Sequence, residues 1–453
     1  MVRSPADVSP TLLSGSRTLS IFLLTPSTNS SVTMSETRVI SDSSLRFLAS
    51  FGENLTIHNN LRTISLSTIT SVESDDTVEV PDTLNSVESL EFCGLNNNVA
   101  VVVYDRWRRD HESVLKPEQL GYGYPIISFA KDYVRDMAST RNAMQEGDDW
   151  DAALKHQGLK DATRRRIMDT RFEHLRKSQS AAFWALDTLD LSWEFLDGLD
   201  RRLQKSKDAS ELRSISPDAS AKPSRAVKPG SSSLNTGLHS GSSSLKTAVE
   251  EETPKQVEGR TLVYKGGAYT RLISIFNADG SLNLTKIVST PPCDFHPIRL
   301  DLYFTKQWDV AVEYAGFAHT RVPSQEPTVL TAAIPSEYTS SSVEVFGHDW
   351  RKLVWLSRNR SVFLQNGGAL PGELSAYTEA DVLIGLTCRT GGEQIERMTS
   401  AEELTVLKTQ KGDKVTQVAL NGARMIPRFL EECRGYVWVA SMRAPKRAKH
   451  FRP

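Results

Sequence analysis

The hydrophobic pattern of this chain stops at residues 206–256, and this interruption constrains the fold more than any other feature. The segment is rich in Ser, Pro, Lys and Gly, and the motif Gly-Ser-Ser-Ser-Leu occurs at 230–234 and again at 241–245. Such a composition buries too little apolar surface to offset the entropy that is lost on ordering. We therefore predict a disordered Ser-rich linker at 208–258 that divides the chain into two folded regions.

The first part of the region before the linker has the texture of β-structure. Residues 38–123 contain short runs of Val, Ile, Thr and Leu separated by Asn, Asp and Gly, which is the pattern of β-strands. The runs at 45–49 and 99–104 are two of the predicted strands. Eight acidic residues and one basic residue lie between positions 53 and 91, so this predicted β-rich region has an acidic surface that would repel nucleic acid.

Residues 124–207 follow a helical period instead. Pro125 suits the first position of a helix, and a second, short helix is predicted to begin after Asp148. From residue 159 to 207, apolar side chains recur at steps of four and three, which predicts one long helix with heptad spacing. This helix either associates with other copies in a coiled coil or packs inside a helical hairpin or bundle of the same chain. The residues predicted to mediate self-association are Phe172, Leu175, Leu186, Leu189, Trp193 and Leu196.

The β-pattern returns after the linker, at residues 259–442. At least eight candidate strands occur here, among them the alternating runs at 298–304 and 308–317. An Asn-Ala-Asp-Gly sequence at 277–280 is a hairpin signal between two further strands. Long helices are not predicted between these strands. We therefore expect an antiparallel all-β sandwich or jelly-roll-like domain, within a chain that belongs as a whole to the α+β multi-domain class.

The sequence lacks the common signatures of enzyme sites. It has no phosphate-binding GxxxxGK[ST] or GxGxxG loop, no GxSxG nucleophile turn, no HExxH helix and no CxxC pair. We therefore predict no cofactor and no bound metal. The enzyme-like alternative is a thiol or metal site formed by Cys293, His296, His319 and His348, because thiolates and imidazoles act as nucleophile pairs and as metal ligands.

Two basic clusters are candidates for contacts with nucleic acid. Arg164, Arg165 and Arg166 occur in the first half of the predicted long helix. The tail at 443–453 carries five Lys or Arg residues and no acid, and such cations neutralise phosphates. The alternatives for the tail are nuclear import and simple solvation. The tail residues predicted to bind RNA or DNA are Arg443, Lys446, Arg447, Lys449 and Arg452.

The N-terminus and the cysteines bear on the compartment. Residues 1–37 are rich in Ser and Thr and are predicted to be a disordered leader, with an organellar targeting segment as the alternative. The four cysteines are far apart in the sequence, and no apolar run reaches the length of a transmembrane helix. We expect an intracellular protein of a reducing compartment, in the cytoplasm or the nucleus.

The charge balance and the order of the segments together favour one class of function. Lys plus Arg number 54 and Asp plus Glu number 55, so any electrostatic partner must be bound locally. A self-associating helix, a β domain and a cationic tail predict a non-enzymatic structural or interaction protein. An oligomeric protein that packages or transports nucleic acid, such as a viral capsid or movement-type protein, combines parts of this kind.

Overall fold

The structure is a computed structural model, and it describes residues 37–53, 55–69, 76–112, 124–140, 149–214, 253–277 and 279–442. Among these residues the fold is mixed α/β, with about 50% helix and 19% strand. The predicted leader as far as residue 36, most of the predicted linker and the tail lie outside the described residues.

The described residues before the linker are mainly helical. Strands β1 (Leu61–Ser65) and β2 (Thr77–Pro81) form an antiparallel pair. The helices are α1 (Asp42–Ala49), α2 (Leu66–Ile69), α3 (Val87–Cys93), α4 (Asn97–Glu112), α5 (Ile126–Ser139), α6 (Trp150–His156), α7 (Asp161–Ile167), α8 (Glu173–Arg176) and α9 (Ala181–Ser214).

The strand predicted at 99–104 is wrong, because these residues belong to α4. Asn96 caps this helix, since its side-chain oxygen accepts a hydrogen bond from the Val99 amide at 3.1 Å. Val101 and Val102 are 40% and 56% exposed, although the run is apolar throughout. Burial therefore follows one face of a helix, whereas the sequence suggested a strand that is buried on both faces.

The strand predicted at 45–49 is also wrong, because these residues lie in α1. Ser41 caps the helix by accepting a hydrogen bond from the Ser44 amide at 3.3 Å. The Ser44 hydroxyl in turn donates to Asp200 of α9 at 2.7 Å. The predicted β-rich region thus consists of one two-stranded sheet and several helices.

The long helix predicted at 159–207 is interrupted, and α7 and α9 are separate helices. Asp169 accepts a hydrogen bond from the Arg171 amide at 3.0 Å and begins a 3-10 turn. Ser180 accepts one from the Phe183 amide at 3.0 Å, at the start of α9. Short polar side chains therefore break the helical pattern by bonding to the backbone locally.

The residues after the linker form a seven-stranded sheet with helices packed against it. The strand order is β6-β7-β8-β4-β3-β5-β9, and every neighbouring pair is antiparallel except β6 and β7. The strands are β3 (Arg260–Ala268), β4 (Asp301–Thr305), β5 (Pro327–Pro335), β6 (Val343–Val345), β7 (Val382–Leu386), β8 (Thr416–Asn421) and β9 (Val437–Ser441). The helices are α10 (Tyr269–Ile273), α11 (Trp308–Arg321), α12 (Ser336–Ser340), α13 (Gly347–Arg358), α14 (Arg360–Gln365), α15 (Ser375–Thr378), α16 (Gly392–Arg397) and α17 (Gly422–Glu432).

The prediction of an all-β domain at 259–442 is therefore wrong. The run at 308–317, which alternates like a strand, lies in α11. The buried side chains Ala311 and Ala315 share the face of this helix that packs on β3 and β5, where they contact Val329. Small alanines allow this close packing, and an alternating pattern does not register them as a helical stripe.

The sheet is nearly divided at its centre. β3 pairs with β5 through nine residue pairs, but it pairs with β4 only at Tyr264 and Thr305. Beside this point the Lys265 ammonium donates to the Tyr303 carbonyl oxygen at 3.2 Å, so a side chain supplies a hydrogen bond between the two strands where they separate. Desolvation by the surrounding protein atoms lowers the pKa of Lys265 to about 8.

The helical half and the sheet share one hydrophobic core and a buried ionic cluster. Leu189 and Leu196 of α9 belong to the same core as Phe317 of α11. The Asp187 carboxylate accepts hydrogen bonds from Arg271 at 2.5 Å and lies 2.7 Å from an Arg321 nitrogen. Burial would raise the pKa of Asp187, but the two guanidinium groups lower it to about 2.

Gly266 allows β3 to approach α11. A Cβ at this position would lie 1.7 Å from the carbonyl oxygen of Ala311. Gly266→Ala should therefore separate strand and helix and destabilise the protein by more than about 2 kcal/mol, as overpacking does. Urea unfolding measures the effect. Gly372→Ala is the control, because its Cβ would contact nothing within 4 Å; equal midpoints for the two variants would contradict the prediction.

Asp187→Asn should destabilise the protein by about 3–5 kcal/mol at pH 7, because it leaves the buried Arg321 guanidinium without its counterion, whereas Arg271 keeps its ion pair with Glu194 at 3.2 Å. The folded-state pKa lies below the unfolded-state value, so this stabilisation is present above about pH 4 and is lost as the pH falls towards 2. The difference in unfolding free energy between wild type and variant should narrow over that interval. Asp197→Asn is the control, because Asp197 forms an exposed ion pair on the same helix; a constant difference across the interval would refute the assignment.

Candidate nucleic-acid interface

The three arginines predicted to bind nucleic acid lie on α7, and Arg164 differs from the other two. Its Nε donates to Asp151 at 2.9 Å and its Nη1 donates to Asp161 at 2.7 Å. The hydrogen bond to Asp151 is the largest influence on the pKa of Arg164, which is raised. The charge of Arg164 is therefore largely neutralised within the chain.

Arg165 and Arg166 are exposed and have no acidic partner among the described residues. Partial desolvation, and then the charge of Arg165, lowers the pKa of Arg166. Two adjacent positive charges without counterions attract an anion more strongly than a single cation that is already bound in an ion pair. These two residues form the arginine pair of α7.

A shallow pocket of about 340 Å³ lies at the start of α7, and its lining includes the cations Lys155, Lys160 and Arg164 together with the acids Glu91 and Asp161. The Lys160 ammonium donates to the backbone carbonyl of Glu91, near the end of α3. Desolvation, and then the charge of Arg166, lowers the pKa of Lys160. The start of α7 therefore presents both cations and acids, and of the acids that line the pocket Asp161 is bound by Arg164.

The predicted tail site lies outside the described residues, so Arg443, Lys446, Arg447, Lys449 and Arg452 remain predictions from the sequence. The arginine pair of α7 is the part of the predicted interface that the structure describes.

The residues predicted to mediate self-association contact the chain's own core. Leu175, Leu189 and Leu196 are each 1% exposed, and Phe172, Leu186 and Trp193 are partly buried against the same cluster. The Phe172 ring stacks on Phe317 of α11 with centroids 5.2 Å apart. The structure thus shows the internal contacts of this stripe, and self-association through it stays a prediction.

The Cys and His residues of the enzyme-like alternative have separate surroundings. The Cys293 thiol is buried and lies 3.4 Å from the Thr290 carbonyl oxygen. Burial, and then the carboxylate of Asp301, raises its pKa to about 12, so the group is a thiol at neutral pH and not a nucleophilic thiolate. The His296 Nδ1 accepts a hydrogen bond from the Arg299 amide at 3.0 Å.

The other two histidines also bond elsewhere. His319 Nδ1 is 2.7 Å from the Gln325 carbonyl oxygen, and His348 Nδ1 is 3.0 Å from a Glu402 carboxylate oxygen. Across the described ranges, no group of three or more His, Cys, Asp or Glu side chains could hold a metal ion. The same part of the chain contains no helix with both the length and the apolarity needed to cross a membrane.

A second pocket of about 340 Å³ was missed by the sequence analysis. It lies between α1 and the last turns of α9. The available signal was the arginine next to two phenylalanines one helical turn apart, at Arg46, Phe47 and Phe51. Its contact with the end of α9 joins segments that are distant in sequence, which no local pattern reveals. The residues that line it are Ser43, Arg46, Phe47, Ser50, Lys207 and Ser210.

Comparison with known proteins gives no relative: no family model, no curated protein and no solved structure matches this chain.

Leu189→Ala should destabilise the folded monomer by about 2–5 kcal/mol, because it empties a buried site in the shared core. Urea unfolding gives the free energy, and light scattering gives the oligomeric state. Leu364→Ala, at a side chain that is 60% exposed, should change neither quantity. Loss of an oligomer by Leu189→Ala without loss of monomer stability would instead identify the heptad stripe as an intermolecular contact.

Proposed function

We propose that this chain is a non-enzymatic interaction protein that binds RNA or DNA through the arginine pair of α7 and the basic tail at 443–453. Packaging and transport of nucleic acid are the functions that combine such binding with a large folded scaffold. A capsid or movement-type role rests on the order of the segments alone.

The arginine pair of α7 carries the proposal. Arg165 and Arg166 are exposed, adjacent and without acidic partners in the described part of the chain. Guanidinium groups bind phosphate through a planar fork of donors, and each contact with a phosphate releases condensed counterions. Lys155 and Lys160 extend the cationic surface around the adjacent pocket.

The balance of the nearby charges supports the same reading. Arg164 binds both Asp151 and Asp161, and Arg171 binds Asp169, which follows α7 directly. These cations compensate part of the negative charge near the arginine pair and leave Arg165 and Arg166 to an approaching phosphate. The basic tail adds five cations without any acid, and such a segment can follow a phosphate backbone without reading bases.

Self-association is not required for this binding. The heptad stripe of α9 contacts the chain's own core, so oligomerisation through it is a separate prediction. A thiol enzyme is not proposed, because Cys293 is protonated at neutral pH and bonded to backbone carbonyl oxygens.

The double variant Arg165→Gln/Arg166→Gln should weaken binding of a single-stranded oligonucleotide and reduce its salt dependence. Each lost phosphate contact removes about 0.7 from the slope of log affinity against log salt, so the slope should fall by about 1.4. Fluorescence anisotropy at several salt concentrations measures this slope. Binding should weaken by a similar factor for unrelated sequences, because phosphate contacts do not read bases.

The control is Arg360→Gln/Lys411→Gln, which removes two exposed cations of the C-terminal half that have no acidic partner among the described residues. This variant should keep the wild-type slope. Deletion of residues 443–453 should reduce the slope by up to about 3.5, at about 0.7 for each of five contacts. If the intact chain binds neither RNA nor DNA at low salt, or if every variant keeps the wild-type slope, the proposed function is wrong.

A further inference from the structure

The second pocket, between α1 and α9, has the chemistry of an anion site with an aromatic wall. Its lining combines two cations, Arg46 and Lys207, with three serine hydroxyls and the ring of Phe47, and none of the described residues that line it carries a carboxylate. Each class of group serves a different part of a nucleotide: cations and hydroxyls bind phosphate, and an aromatic face stacks on a base.

Arg46 is available to a ligand. It is exposed, and its guanidinium makes no hydrogen bond or ion pair with the residues that the structure describes. Asp42, one turn earlier on α1, is the natural partner for a cation at this position. Its carboxylate instead accepts from Arg38 at 2.8 Å, so Arg46 keeps its full charge at the pocket.

The serine hydroxyls differ in what they can offer. Ser50 donates to the Phe47 carbonyl oxygen at 2.6 Å, so its hydroxyl is left to accept. Gln204 donates to Ser43 at 2.7 Å, and the Ser43 hydroxyl donates in turn to Ser41 at 3.0 Å, because Ser41 gives its own hydrogen to Asp200. Ser210 is exposed on the last turns of α9. The Ser210 hydroxyl can therefore donate to a phosphate oxygen beside Arg46, and the Ser50 hydroxyl can accept from a ligand.

The aromatic wall extends beyond the pocket. Phe47 is half-buried, and its ring meets Phe51 edge to face with centroids 4.9 Å apart. Phe51 is itself 58% exposed. Large exposed aromatic rings cost free energy in water, and stacking with a base covers such a face. Phe51 therefore supports Phe47 and offers a second ring to a neighbouring base.

We infer that this pocket binds one nucleotide unit of a single strand, with the base against Phe47 and its phosphate between Arg46 and Lys207. The inference rests on the proposed function and names a site for it that is separate from α7. A single strand is required because the faces of bases in a duplex are already stacked. A pocket of about 340 Å³ admits a small molecule or one unit of a chain rather than a double helix.

The test uses the full chain and a labelled oligouridylate of fifteen residues, with binding followed by fluorescence anisotropy. Phe47→Leu should weaken binding about 5- to 150-fold, since stacking contributes about 1–3 kcal/mol per base, and should leave the salt slope unchanged. Phe47→Trp should restore or increase the affinity. Arg46→Gln should reduce the slope by about 0.7, the contribution of one phosphate contact on a single strand.

Lys205→Gln is the matched control. It makes the same kind of charge change on α9, two positions from Lys207, at an exposed residue that does not line the pocket. It should bind like the wild type. Thermal unfolding of each variant distinguishes loss of a ligand contact from loss of the fold. Recovery of the affinity by Phe47→Trp would show that binding requires an aromatic face and not only a side chain of sufficient volume.

Competitors identify the part of the ligand that is recognised. Uridine monophosphate should displace the oligonucleotide from wild type but less effectively from Phe47→Leu, whereas inorganic phosphate should be equally weak against both. Equal displacement by phosphate and by the nucleotide would refute the base contact. If Phe47→Leu and Arg46→Gln bind like wild type while Arg165→Gln/Arg166→Gln binds weakly, this inference is wrong and the proposed function stands. If no variant binds because the wild type does not, both fail.

Discussion

A buried carboxylate on α9 joins the helical half of the chain to the sheet. Asp187 is bound by Arg271 of α10 and Arg321 of α11. The Arg321 guanidinium also lies 4.7 Å from the centre of the Trp184 ring and 4.8 Å from that of Phe317. Both cations are thus paired with Asp187, and the Arg321 guanidinium also packs against two aromatic rings. Rotation of α9 about its axis would leave all three charges unpaired, so this cluster fixes which face of the helix meets the core.

The orientation of α9 determines which surfaces remain for partners. Its heptad stripe faces the shared core, where Leu189 and Leu196 are buried. The apolar side chains that suggested a coiled coil therefore contact other parts of the same chain. The last turns of α9 continue past this core and meet α1, where Lys207 lines the second pocket. The surfaces left exposed beside α9 thus combine cations such as Arg46 with aromatic rings such as Phe51 and Phe183.

Local signals predicted those elements whose burial is decided locally. The helix expected from Pro125 is α5, and the short helix expected after Asp148 is α6, which Asp149 caps. The second half of the run at 298–304 lies in β4. The apolar runs at 99–104 and 308–317 were wrongly predicted to be strands. Each is a helix that segments distant in sequence cover on one face, and such tertiary contacts are not visible in the local pattern.

The candidate interface divides in the same way. Arg165 and Arg166 were predicted because three arginines in a row are visible in the sequence, although the sequence does not reveal that Arg164 alone is neutralised. The position of Arg46 and Lys207 in one pocket was not predicted, because it arises only where the last turns of α9 meet α1. A linear pattern reports the density of charge but not which charges already have partners.

The partnering of acids explains how a nearly neutral chain can present cationic surfaces. On a helix, an acid pairs readily with a cation four residues later, which would join Asp161 to Arg165 and Asp42 to Arg46. In both places another arginine binds the acid instead: Arg164 binds Asp161 at 2.7 Å, and Arg38 binds Asp42 at 2.8 Å. The net charge at each place is the same whichever arginine binds the acid. The arginine that remains without an acidic partner is Arg165 at the first place and Arg46 at the second, and both are exposed to solvent, where a phosphate can reach them.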